Sequence, residues 1–140
     1  FKFNVQEDVK GLDFIMRLRP VTYQFDVQRF DGRSTNDAAY AQAMQLRRTG
    51  FIAQEVEQAA KATGFDFSGI IRPSHPDGHY GLSYESFVVP VVKSIQEQQA
   101  QIETLKKENE AIKKMNEQLQ KDNEELKKMV MEFLKRDPQP

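Results

Sequence analysis

The sequence predicts an α+β fold, a small mixed head followed by a long C-terminal helix patterned for a parallel coiled coil. Three observations predict it. All 7 glycines and 13 of the 14 aromatic residues fall in residues 1–87, and the only aromatic beyond them is Phe133. Within that stretch, short segments of strand-like alternation and helix-like spacing succeed one another. Residues 88–140 then carry 10 basic and 10 acidic side chains over 53 positions, with no glycine to interrupt a helix. The expected organisation is a head over 1–87, a coiled coil over 88–136 and a disordered tail over 137–140.

In the head, EDVKGLDFIMRL sets Val9, Leu12, Ile15 and Met16 at helical spacing, with Glu7 and Asp8 in the first turn. Pro20 ends that helix, because the residue before a proline is pushed out of the α region. PVTYQFD alternates Val21, Tyr23 and Phe25 with polar neighbours and predicts a half-buried strand. DGRSTND (31–37) has loop chemistry, and Ala38–Arg48 reads as a surface helix or excursion. GFIAQEVEQAAKATGF predicts a short strand Phe51–Ala53, then a helix to about Thr63 stopped by Gly64 at the C′ position. Phe65, Phe67, Ile70 and Ile71 suit a buried extended segment, and PSHPDGHYG (73–81) is a turn. Tyr80, Leu82 and Tyr84 alternate again before the last helix starts near Ser83–Ser86. The expected core is Leu12, Ile15, Tyr23, Phe25, Phe51, Ile52, Val56, Tyr84 and Phe87. A head this small buries too little surface for comfortable stability alone, so association is expected.

The tail has the clearest period in the chain. Val88, Ile95, Ile102, Asn109, Asn116, Asn123 and Val130 take position a of a heptad, and Val91, Gln98, Leu105, Ile112, Leu119, Leu126 and Phe133 take d. Seven heptads hold one register, and the 4 seam positions of 14 that are not apolar are Asn or Gln, never a charge. At about 1.5 Å per residue the rod would be about 70 Å long. Parallel pairing sets Glu108 against Lys113 and Asp122 against Lys127, both attractive. The buried asparagines penalise slipped registers and by themselves lean toward two strands. Pro90 falls near the helix start, where a missing N–H matters least.

Composition excludes much else. With 20 basic and 21 acidic side chains the net charge is −1, so there is no general attraction to nucleic acid. Cysteine is absent, which removes disulfides, thiolate metal sites and cysteine nucleophiles. No run approaches the ~18 apolar residues of a membrane span. The opening FKFNVQED lacks an initiator Met and the layout of a signal peptide, so a fragment of a longer protein is expected. His75 and His79, the only histidines, flank a Pro-Asp-Gly turn without companion ligands; no metal and no cofactor is expected. Phosphate-loop, HExxH and EF-hand motifs are missing. A basic-zipper protein needs a continuous basic helix before the heptads, whereas 64–87 holds one basic residue, Arg72.

Three blocks in order, LRPVTYQFD (18–26), TGFIAQEVEQ (49–58) and YGLSYESFVVPVVKSIQEQ (80–98), resemble the chaperone-of-endosialidase family. These are intramolecular chaperone and auto-processing domains at the C-termini of phage tail spikes and bacterial tail-fibre-like proteins, with a related domain in myelin regulatory factor. The resemblance implies a homotrimer that templates folding of the fibre or spike upstream in the same polypeptide, located in a virion tail or at a bacterial surface. It also implies single-turnover release by a serine–lysine dyad in a motif Ser-Asp-x-x-x-Lys-x-Asn. Lys2-Phe3-Asn4 matches the end of that motif, which makes Lys2 the implied general base. Such a lysine must be neutral to accept a proton. The serine would lie five residues before Lys2, so the chain as given lacks the nucleophile and should not cleave. A non-cleaving trimerisation or interaction module is the alternative expectation. An upstream DNA-binding domain would instead favour a transcription-factor-like parent.

Overall fold

A computed structural model describes residues 1–32 and 38–136. Residues 33–37 of the loop expected over 31–37, and the tail expected at 137–140, lie outside the described residues, while Asp31 closes a short helix. The chain divides into two units, Phe1–Glu97 and the remainder from Gln98. The element order is α1 (Leu12–Ile15), β1 (Val21–Gln24), α2 (Val27–Asp31), α3 (Ala38–Gln45), β2 (Arg47–Gly50), α4 (Ala53–Ala62), β3 (Ile70–Ile71), β4 (Gly81–Leu82), a 3₁₀ turn (Tyr84–Phe87) and α5 (Val88–Arg136). A small strand-and-helix head followed by one long helix is therefore the architecture, as the composition split predicts.

Two antiparallel pairs make up the β structure. β1 pairs with β2 in a register that sets Val21 opposite Gly50 and Gln24 opposite Arg47. β3 pairs with β4 through Ile70 opposite Leu82. The alternation of PVTYQFD holds, with Val21, Tyr23 and Phe25 half-buried and their neighbours exposed. The partner strand, however, is Arg47–Gly50 and not Phe51–Ala53. Gly50 terminates it, and Ala53 already begins α4. The helix expected over 38–48 correspondingly stops at Gln45. Arg47, Arg48 and Thr49 are exposed, and backbone pairing at an edge needs no apolar side chains.

The first helix is much shorter than its pattern suggests. It comprises Leu12–Ile15 only, and Phe1–Gly11 forms no regular structure apart from a bend at Asn4. Gly11 is buried, and a Cβ there would stand 2.9 Å from the Ser94 backbone nitrogen and 2.7 Å from Lys93 Cγ. That close approach to α5 holds the chain at Gly11, so α1 begins only at Leu12. Phe14, off the predicted stripe, is fully buried, whereas Met16 is 71% exposed.

The core comprises Phe14, Val56, Ala59, Ala60, Phe67, Ile70 and Phe87. Phe14 meets Phe65, Phe67 and Phe87 at ring-centroid distances of 5.2, 5.0 and 6.5 Å. Ala59 and Ala60 give the face of α4 the flatness that lets these rings approach. Of the expected core, Val56 and Phe87 are buried and Leu12, Ile15, Tyr23, Phe25 and Phe51 are half-buried. Ile52 and Tyr84 stay exposed at 36% and 49%. Tyr84 projects from the 3₁₀ turn toward Gly50, not into the aromatic cluster's interior.

Helix α4 ends as predicted. Gly64 takes the left-handed conformation (φ 63°), Phe65 N–H donates to Ala60 O at 2.9 Å and Gly64 N–H to Lys61 O at 3.1 Å. This is a Schellman closure, and it turns Phe65 back onto Phe14. The short α2 was announced by no hydrophobic period. Its signals are the Asp26 carboxylate accepting from Arg29 N–H at 2.9 Å and the left-handed Gly32 at its end.

Candidate functional site

The three sequence blocks are far apart in the chain and meet in the head. Arg19, from LRP, donates two hydrogen bonds to the Glu55 carboxylate of GFIAQEVE, one of them 3.1 Å from Nε to Oε2. The guanidinium beside Glu55 holds that carboxyl below its ordinary value, and Glu55 in turn raises Arg19. Both side chains are substantially exposed, so the pair orients the blocks more than it stabilises them.

The third block closes on the second at Gly50. The Tyr84 hydroxyl accepts the Phe51 N–H at 2.9 Å, and the Tyr84 ring stacks on Phe51 with centroids 6.1 Å apart. A Cβ at Gly50 would stand 2.2 Å from that hydroxyl, so the position is closed to any side chain while Tyr84 keeps its place. The Gly of TGF and the Tyr of SYES thus form one contact.

Glu57 is the buried polar hub of the head. Its carboxylate accepts from Arg72 Nε at 2.6 Å and from the Tyr80 hydroxyl at 3.2 Å, with Lys61 Nζ at 3.4 Å. The Arg72 guanidinium holds the Glu57 carboxyl below the ordinary 4.5, opposing the burial that pushes it up, with help from Lys61 and Tyr80. Arg72 is raised chiefly by the same bond. This network fastens α4 to the turn between β3 and β4. The sequence reading missed it, because partners 15 and 23 residues away leave no helical spacing to read.

The amino-terminal segment carries Lys2. Residues Phe1–Asp8 are exposed, including Lys2 itself, and Asn4 is the one non-glycine described residue with a left-handed backbone (φ 53°). The segment is tied down at Leu12, whose N–H donates to Glu97 Oε2 at 2.7 Å across 85 residues of sequence. No group of three His, Cys, Asp or Glu among the described residues could hold a metal ion. His79 instead stacks against Phe30 at 4.6 Å.

The seam residues lie along α5 and are open to solvent in the single chain. Exposures run from 40% at Val91 to 68% at Phe133, with Leu119 at 52%. Val88, Ile95, Ile102, Leu105, Ile112, Leu126 and Val130 are likewise exposed, and so are Asn109, Asn116 and Asn123. Among the described residues no helix is long and apolar enough to cross a membrane.

No curated protein and no solved structure matches the chain. Residues 1–65 match the family model described as chaperone of endosialidase, a span that includes Lys2 and the first two blocks and stops before the third. The pairs Arg19–Glu55 and Gly50–Tyr84 bring the blocks together in space, and the match over residues 1–65 supports the resemblance to the chaperone-of-endosialidase family.

Proposed function

We propose that this chain is an intramolecular chaperone that assembles as a parallel homotrimer through α5, templates an upstream fibre or spike of the same polypeptide, and is then released by self-cleavage. Its place of action on this reading is a virion tail or a bacterial surface. The observation that carries the assembly step is the seam itself: ten apolar side chains at heptad spacing, each at least 40% exposed in the isolated chain. Unburied apolar area on that scale drives association at about 25 cal/mol per Å². The family match over residues 1–65 supports the chaperone role.

The cleavage chemistry rests on Lys2. A serine five residues ahead of it adds its Oγ to the carbonyl carbon of the preceding residue, while neutral Lys2 takes the hydroxyl proton. The C–N bond then breaks, the proton passes to the departing amine, and water hydrolyses the resulting ester. Lys2 is exposed in the single chain, so its neutral form requires burial by neighbouring copies.

The test extends the chain upstream with its native sequence. Sedimentation equilibrium should give three chains, and electrophoresis should give one cut per chain immediately before the serine. Lys2→Arg should abolish the cut and leave the trimer, since arginine stays protonated. Cleavage unimpaired in Lys2→Arg removes Lys2 from the mechanism. Assembly with no cut in the native extension leaves a trimerisation module, and a stable monomer overturns the proposal.

A further inference from the structure

Two apolar surfaces of the head are left uncovered by the core. The first is the amino-terminal arm, where Phe1, Phe3 and Val5 alternate with Lys2, Asn4 and Gln6 and are 126%, 90% and 79% exposed. The arm bends at the left-handed Asn4, and its three apolar side chains stay open to a partner. The second is a groove beside the start of α5, lined by Val9, Val88, Val89, Val92, Glu7 and Lys93, with Val88 shared with the seam. Val89 and Val92 take heptad positions b and e, so the a/d seam leaves Val89 on the outside and Val92 on its flank. They are 58% and 48% exposed.

We infer that the arm Phe1–Val5 of one copy packs into the Val89/Val92 groove of a neighbouring copy. The inference rests on the assembly proposed above and adds a second contact outside the coil. A chain's own arm does not fill its own groove: Gln6, Glu7 and Val9 form one wall of it, and the arm leaves from that wall with Phe3 and Val5 still open to solvent. Reach allows the neighbour. Gly11 is held against Lys93 and Ser94 of α5, and the six residues from there to Val5 span at most about 20 Å. Adjacent helices in a bundle lie only about 8–10 Å apart. Association through α5 also presents identical arms and grooves at one level of the bundle, at an effective concentration of order millimolar for so short a tether. A foreign ligand would have to compete with that.

The natural sequence has no cysteine, so disulfide trapping reads the contact directly. Affinity-tagged Phe3→Cys and untagged Val92→Cys chains are unfolded together, refolded and oxidised, with Gln58→Cys on the exposed face of α4 as control. The expected result is a tagged–untagged disulfide dimer at least ten times more abundant for Val92→Cys than for Gln58→Cys. Val5→Cys with Val89→Cys repeats the test one step along the groove. Equal cross-linking to the control overturns the inference. With Phe3→Cys and Val92→Cys placed in one chain, a disulfide formed within that chain and none between chains overturns it as well. Assembly by sedimentation with no cross-link in either pair overturns this contact and leaves the trimer standing, whereas a monomer overturns both.

Discussion

Truncating Phe14 to alanine should unfold the head more effectively than any other single deletion in it. Phe14 is 0% exposed, the most buried ring of the cluster, and meets Phe65, Phe67 and Phe87. A Phe→Ala change in a packed core costs about 3–5 kcal/mol through lost transfer energy and the residual cavity. Here the upper half of that range applies, because each ring pair contributes a further ~0.5–1.5 kcal/mol. The surrounding elements are too short to collapse independently. At about 4–8 °C per kcal/mol for a domain of this size, the melting temperature should fall by roughly 16–40 °C. Phe51→Ala removes a half-buried ring stacked on Phe87 at 5.4 Å and should cost less, about 1–3 kcal/mol. Phe14→Leu, at about 1–2 kcal/mol, keeps the comparison measurable if the alanine variant does not fold. The chain has no tryptophan, and its four tyrosines (23, 40, 80 and 84) all lie in the head. Urea titration followed by tyrosine fluorescence therefore reads the head alone, while ellipticity at helical wavelengths is dominated by α5. A smaller loss for Phe14→Ala than for Phe51→Ala would refute the packing scheme, as would any loss below about 1 kcal/mol.

Gly50→Ala should displace Tyr84 and free the Phe51 N–H, and combining it with Tyr84→Phe should recover part of the loss. A non-additivity of about 0.5–3 kcal/mol in a double-mutant cycle is expected, and strict additivity would mean the two residues do not touch. Glu57 has a folded value below the ordinary 4.5, so it adds stability above that pH which disappears as the pH falls through the lowered folded value. Glu57→Gln should therefore melt earlier than the natural chain at pH 7, with the gap closing as the pH falls below the ordinary 4.5 and through the lowered folded value; a gap unchanged on acidification would show that the Arg72 bond is not its source.

Legibility in the sequence followed the locality of the cause. β1, the Schellman stop at Gly64 and the long helix are each set by residues within one or two turns, and each stands where its pattern put it. The misplaced elements have distant causes. Val9 to Met16 carries a sound amphipathic period, yet α1 is cut to one turn because Gly11 must lie against Ser94. β2 has the charged composition of a helix end and becomes a strand because β1 offers it a partner. At the candidate site, Lys2 was singled out only through its motif, and the proposed seam only through its period. Glu57 was invisible, since a glutamate on a helix looks solvated until the fold brings Arg72 and Tyr80 to it.

The bond from Leu12 to Glu97 has a consequence for the order of events on the ribosome. Leu12 waits for an acceptor made 85 residues later, and Phe14 for Phe87. Synthesis at about 5–20 residues per second separates these partners by several seconds. During that interval the aromatic half of the head has been made but cannot close. Anything encoded ahead of it has begun to fold first, and the head snaps shut only once the start of α5 has cleared the exit tunnel. The head therefore closes late, at a moment set by its own long-range contacts.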